Sequence, residues 1–210
     1  GDTPTLIPIP SNDSAWNFNF FEITALANTL RERIGRFSDY PNLVIKDGIQ
    51  ALWKKIYHLK DVCFNGNIAK GLNGFNEIVQ VEANILRGII YNREFYPFKN
   101  VEPNAYCIFP YRGASNEGIS ISEIETQYPL TFDYLSSNED RIKSNVKCRE
   151  GEYWHTFTRE HNQTMYNVPK IIVPMTARDT IATFVPSKGL YMDNANVWFV
   201  AIEGANANTM

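Results

Sequence analysis

The chain has 210 residues, 44% of them hydrophobic and 13% aromatic, enough apolar material for a core in one large domain or two small ones. A charged fraction of 20% and a formal net charge of −3 exclude a disordered tail and a broadly basic nucleic-acid binder. They leave local clusters of Lys and Arg open to phosphate, because charge neutralisation on a duplex is local.

The first stretch, GDTPTLIPIPSNDS, reads as a linker over residues 1–15, and the chain is expected to be a piece of something larger. One domain is expected over 16–203, with two subdomains meeting near 112–120 as an open alternative, and a loose tail at 204–210. Residues 20–37 place Phe20, Ile23, Leu26, Ala27, Leu30 and Ile34 at helical spacing, with Asn19 and Glu22 as a capping box. Leu43 to Gly48 predicts a short strand closed by a turn, and KIYHL at 55–59 predicts its return strand.

Turn chemistry (Asn65-Gly66-Asn67, Lys70-Gly71, Asn73-Gly74) fills 63–75. Residues 78–81 read as a strand, 83–90 as a helical turn or two, 105–110 as a strand ended by Pro110, and 112–117 as a loop. The stretch 119–144 is helical: 122–127 forms a first turn, Pro129 suits a first helical position, and Leu130, Tyr134, Leu135 and Ile142 share a face. The last third alternates short apolar runs at 171–173, 181–185, 190–192 and 197–202 with turns, about ten residues apart, which predicts an antiparallel sheet. The fold class is α+β, mostly antiparallel.

Catalytic signatures are missing from these residues. No dinucleotide, phosphate-loop, zincin or nucleophile-elbow motif occurs, nor the [DN]PP[YFW] motif of amino-methyltransferases. Cys63, Cys107 and Cys148 are odd in number and form no CxxC pair, and three histidines complete no zinc spacing, so reduced, buried thiols and no metal are expected. Glu123, Glu125, Glu139 and Asp140 read as solvated helical carboxylates. No apolar run approaches a membrane span, and a cytoplasmic location is expected.

The stretch WHTFTREHNQTMYNVPKIIVP, residues 154–174, is the richest in polar recognition chemistry. His155 and His161 lack a nucleophile or a ligand set beside them. Arg159, His161, Asn162 and Gln163 are of the types that read base edges, Arg pairing with guanine and Asn or Gln with adenine. Trp154, Phe157 and Tyr166 would hold such a loop to the core, and Trp198 and Pro174 are expected in the core or shaping loops. A polar loop before a core strand explains the same residues equally well.

Several stretches occur together in a fixed order: YPLTFDYLSSNEDRIKS at 128–144, Tyr153-Trp154-His155, Arg159, VPKIIVP at 168–174 and IATFVPSKGLYMDN at 181–194. That order resembles the TaqI-like C-terminal specificity domain of amino-methyltransferases and fused restriction–modification enzymes. VIKDGIQALWKKIYHLKD at 44–61 and the segment from EANILRGIIYNREFYPF to YCIFPY at 82–111 are similar to its N-terminal half. Ala51 stands where the family has Thr, and Trp53 where smaller residues are usual. The resemblance spans roughly residues 16–202.

It implies a division of labour. A separate domain, in the same or a partner chain, binds S-adenosylmethionine and methylates a flipped adenine, while this module clamps double-stranded DNA and reads its bases. No cofactor is expected in this chain itself. The DNA-contacting candidates are Lys46, Gln50, Lys54 and Lys55 around the GIQ turn, Arg112 after the FPY strand, and Arg159, His161 and Asn162. Lys and Arg among them are as well suited to gripping phosphate as to reading bases. The alternative class is a non-catalytic protein- or glycan-binding module.

Overall fold

The computed structural model describes residue 32 and residues 39–51, 53–91, 100–144, 148–159, 161–175, 181–186, 189–193 and 197–202. The chain divides into two compact units, 1–41 and 42–210, and almost all described residues belong to the second. The expected 20–37 helix, the linker, the tail and Arg178, whose position in TARD reads as a strand end or a DNA-backbone contact, lie outside the described residues, Glu32 excepted.

The described strands are β1 (Leu43–Asp47), β2 (His58–Asn65), β3 (Ile68–Leu72), β4 (Ile78–Glu82), β5 (Leu86–Ile90), β6 (Ala105–Ile108), β7 (Lys170–Pro174), β8 (Thr183–Val185), β9 (Tyr191–Met192) and β10 (Val197–Ile202). The helices are α1 (Lys54–Tyr57), α2 (Ile121–Gln127), α3 (Pro129–Ser137) and α4 (Glu139–Lys143). A six-stranded sheet runs β4-β3-β2-β6-β5-β9 and a four-stranded sheet runs β1-β10-β7-β8. The fold is α+β and mostly antiparallel. The β5–β9 pair is the parallel one between named strands, where the antiparallel pattern was expected to continue.

Local chemistry explains the framework. Gly66, at φ +58°, opens the two-residue turn between β2 and β3, where a left-handed first residue matches strand twist. Asp61, at φ +51°, sits where the β2–β3 register shifts. Ser120 accepts the Glu123 N–H at 3.3 Å and caps α2, and Pro129 opens α3. The Glu82 carboxylate, at the end of β4, accepts the Leu130 and Thr131 N–H groups at 2.8 and 3.0 Å and the Thr131 hydroxyl at 2.6 Å. An anion thereby caps α3 from the sheet and fixes helix to strand. Ile124, Leu135 and Ile142 then bury against Tyr57, Phe109 and Phe157 in the larger core cluster.

Several expectations are corrected. Residues 55–59 are not the return strand of β1. Trp53 O accepts both the Ile56 and Tyr57 N–H groups, which closes a helical turn over Lys54–Tyr57 in place of an extended chain. β1 pairs instead with β10, and β2 begins at His58. Residues 83–90 form one 3-10 turn and then β5, whose Gly88 faces Pro103 so closely that a Cβ would stand 2.5 Å from Pro103 Cγ. Cys107 is buried, whereas Cys63 is exposed; the cysteines are free. Trp198, 38% exposed, lies on the outer face of the four-stranded sheet together with Ile45, Ile171 and Phe184, which are exposed as well.

Candidate nucleic-acid interface

Residues 148–159 and 161–169 form irregular chain with two 3-10 turns, packed on both core clusters, and their fixation comes from beneath. Trp154, His155, Thr156 and Phe157 are buried. The Tyr57 hydroxyl donates to His155 O at 2.5 Å, and the Tyr111 hydroxyl accepts the Phe157 N–H at 2.7 Å. His155 Nε2 lies 2.9 Å from Ile119 O, so that nitrogen carries the proton. Farther along, the Tyr191 hydroxyl donates to Gln163 O. Lys170 Nζ, fully buried on β7, donates to Met165 O at 2.5 Å, Tyr166 O at 3.2 Å and Leu190 O at 2.8 Å. Burial pushes the Lys170 ammonium down to about 7, while three carbonyl acceptors favour its charged form.

The tip of this segment is clasped to β1. His161 Nε2 pairs with Asp47 Oδ1, and Asn162 Nδ2 donates to Asp47 O at 2.8 Å. Asn162 takes a left-handed φ of +56°, a conformation Asn tolerates better than most residues. Asp47 ends β1, so the sheet edge sets the height of the loop. Gly118 packs a would-be Cβ 3.1 Å from Thr156 Cγ2, which lays the 111–118 loop alongside the same segment.

The expected DNA contacts separate on this frame. His161 and Asn162 share Asp47 and brace the loop. Arg159, two residues before His161, is exposed and makes no ion pair among the described residues. Lys54 pairs with Asp193, which is almost wholly buried, so the short α1 is tied to the end of β9. Ile49 reaches the same point through its N–H to Met192 O at 3.1 Å. Lys55 lies 5.5 Å from the Phe75 ring centroid and is exposed. Lys46 and Gln50 are half-buried and engaged in contacts. Arg112 is exposed and bound by two carboxylates, Glu117 at 2.8 Å and Glu123 at 2.6 Å. Thus β1 and the 159–162 tip converge through Asp47, the 49–54 segment is tied to the end of β9, and Arg112 belongs to the neighbouring loop.

Metal and acid–base chemistry find no centre among the described residues. Burial lowers His58 and His155 to about 4, which keeps both neutral. Among the described residues no group of three His, Cys, Asp or Glu could hold a metal. Sequence reasoning missed Asp47, Asp193 and Arg87 as organising residues. Asp47 was read only as part of a turn, and neither Asp193 nor Arg87 carries a local pattern that marks its partner.

No family model matches the chain. Over 122 residues, 54% of the chain, it is 30% identical to a protein of Escherichia coli described as type II restriction enzyme and methyltransferase RM.Eco57I. The chain is related to a restriction–modification enzyme. Its match spans 12% of the length of that relative. Among the described residues no helix is long and apolar enough to cross a membrane.

Proposed function

We propose that this chain is the sequence-specific DNA-recognition module of a restriction–modification methyltransferase, of the TaqI-like specificity type. In this reading it holds duplex DNA for adenine methylation by a separate domain that binds S-adenosylmethionine, in the same or a partner chain. The observation that carries the reading is the likeness to a combined restriction enzyme and methyltransferase over more than half of the chain. The geometry supports it. A loop rich in base-reading side-chain types is anchored from below by tyrosine hydroxyls and a buried lysine, so its tip is held without engaging the exposed Arg159.

Rigidity of this kind lowers the ordering cost that a recognition loop would otherwise meet on binding. Arg159 projects as the reader or phosphate contact, and His161 and Asn162 set the shape from which it projects. Extruding a base costs a few kcal/mol, which contacts from both domains would supply.

The test is binding of mixed-sequence duplex DNA by fluorescence anisotropy from low to moderate salt. The expected result is binding that weakens steeply as salt rises, as counterion release requires. Absence of binding at the lowest salt would refute DNA recognition by this chain and favour the protein- or glycan-binding class.

A further inference from the structure

We propose that a cleft beside the recognition loop is a seat for a backbone phosphodiester, with Arg87 as its principal ligand. The cleft holds about 230 Å³ and is lined by Asn84, Arg87, Arg112, Gly113, Gln127 and Tyr128, with Phe109 and Tyr111 at its base. It lies next to the loop already described: the Gly88 N–H reaches the Tyr166 hydroxyl at 3.3 Å, and Tyr111 holds Phe157.

Arg87 is built as a ligand-binding arginine. Its guanidinium carbon stands 5.7 Å from the Phe109 ring centroid and 5.8 Å from that of Tyr166. Nη1 donates to Asn84 O at 2.8 Å and to Leu86 O at 2.9 Å, which fixes the plane of the group. Among the described residues it meets no carboxylate, and Nε and Nη2 make no bond. The guanidinium is half-buried, so its two unused donor nitrogens are open to an incoming acceptor that would replace water. A guanidinium fork matches the paired oxygens of a phosphate.

The charge of the cleft agrees. Its lining carries two guanidiniums against one carboxylate, Glu123. That carboxylate is already occupied, Oε2 by Arg112 at 2.6 Å and Oε1 by Gln127 Nε2 at 3.0 Å. Arg87 is therefore the cation of the cleft left without compensation. Shape decides between phosphate and base edge: a small concavity receives a projecting group, and on a duplex the phosphates project while base edges are recessed in the grooves. The inference rests on the DNA-recognition reading for the source of the phosphate, but the anion chemistry of the cleft is independent of it.

Two arms test it on the whole chain. In the first, Arg87→Gln is compared with wild type by anisotropy against several duplex sequences over a salt series. The expected result is an equal fold-loss of affinity for every sequence and a plot of log affinity against log salt shallower by about 0.9. Arg87→Lys, which keeps charge but loses the fork, should recover the slope and only part of the affinity. An altered sequence preference with unchanged slope would make Arg87 a base reader and overturn the phosphate seat. In the second arm, inorganic phosphate is titrated into wild type while the Arg87 Nε–H resonance is followed by NMR. A saturable shift is expected. If wild type ignores duplex DNA but shows that shift, the DNA reading fails and the seat stands; no shift with an unchanged salt slope overturns the seat.

Discussion

The buried histidines make folding stability depend on pH in a calculable way. His58 is 4% exposed, packed edge-on to Tyr91 at 5.5 Å, and neither of its ring nitrogens has a hydrogen-bond partner among the described residues. His155 is fully buried and engages only Nε2, on Ile119 O. Burial lowers both from 6.5 to about 4; Asp193 opposes the shift at His58 and the Ile119 carbonyl opposes it at His155. Between those limits the unfolded chain binds protons that the folded chain refuses, so stability rises with pH and is lost as pH falls through the unfolded value. At roughly 1.4 kcal/mol per unit, each ring accounts for about 3 kcal/mol across the window. The pair would consume much of an ordinary domain's stability, which is about 5–15 kcal/mol. Equilibrium urea unfolding followed by tryptophan fluorescence at pH 7.5, 6 and 4.5 measures it. His58→Phe with His155→Gln keeps an edge-on ring and a donor for Ile119 O, and should flatten the dependence in this window. An equal slope in wild type and double variant would refute the reasoning, because carboxylates titrating in both would then account for all of it.

Other perturbations probe the loop and its frame. Tyr111→Phe removes the acceptor for the buried Phe157 N–H and should cost about 1–3 kcal/mol in urea unfolding, the penalty for an orphaned buried donor. Asp47→Ala releases His161 and Asn162; because the pair is partly exposed, global stability should fall by about 1 kcal/mol or less, while amide exchange speeds up at residues 161–166. Gly88→Ala should destabilise by about 1–3 kcal/mol in the same unfolding assay, since the new methyl meets Pro103 at 2.5 Å. Arg159→Gln should weaken duplex binding, read by anisotropy, more than Arg112→Gln does, because Arg112 is already held by Glu117 and Glu123.

Much of the framework was legible because its signals are local. Alternating burial marks β4 and β10, Asn65-Gly66 marks a tight turn, and Pro129 marks the start of α3. The failures lie where tertiary contacts decide. Lys54–Tyr57 carries a strand-like pattern, yet it closes a helical turn on Trp53 O and sends the Tyr57 hydroxyl to His155 O, a partner 98 residues away. Residues 86–90 look helical by composition, but β6 and β9 offer this stretch a pairing partner on each side and bring Gly88 against Pro103. The parallel β5–β9 pair was illegible because it joins residues far apart in the chain, Ile89 with Tyr191 and Ile90 with Met192. The loop 154–166 was recognisable by its residue types, whereas its mode of fixation was not: hydroxyls of Tyr57 on α1, Tyr111 after β6 and Tyr191 on β9 reach it from distant parts of the chain.

The candidate contacts also show why residue type alone ranks them poorly. Lys54, Arg112, His161 and Asn162 are drawn from the repertoire that grips nucleic acid, yet each is engaged inside the fold, by Asp193, by Glu117 and Glu123, or by Asp47. Redirecting Arg112 to a phosphate would leave two carboxylates beside that anion, and their repulsion would offset the attraction of the new pair. Clasping His161 and Asn162 has the opposite value, since it fixes the backbone from which Arg159 projects and leaves that side chain available. On this reasoning the groups of the loop and the cleft most able to meet DNA are those that form no ion pair among the described residues, Arg159 at the tip and Arg87 in the cleft. The acidic total of the chain is compatible with such a role, because the ion pairs among the described residues draw on other cations and leave these two without a carboxylate.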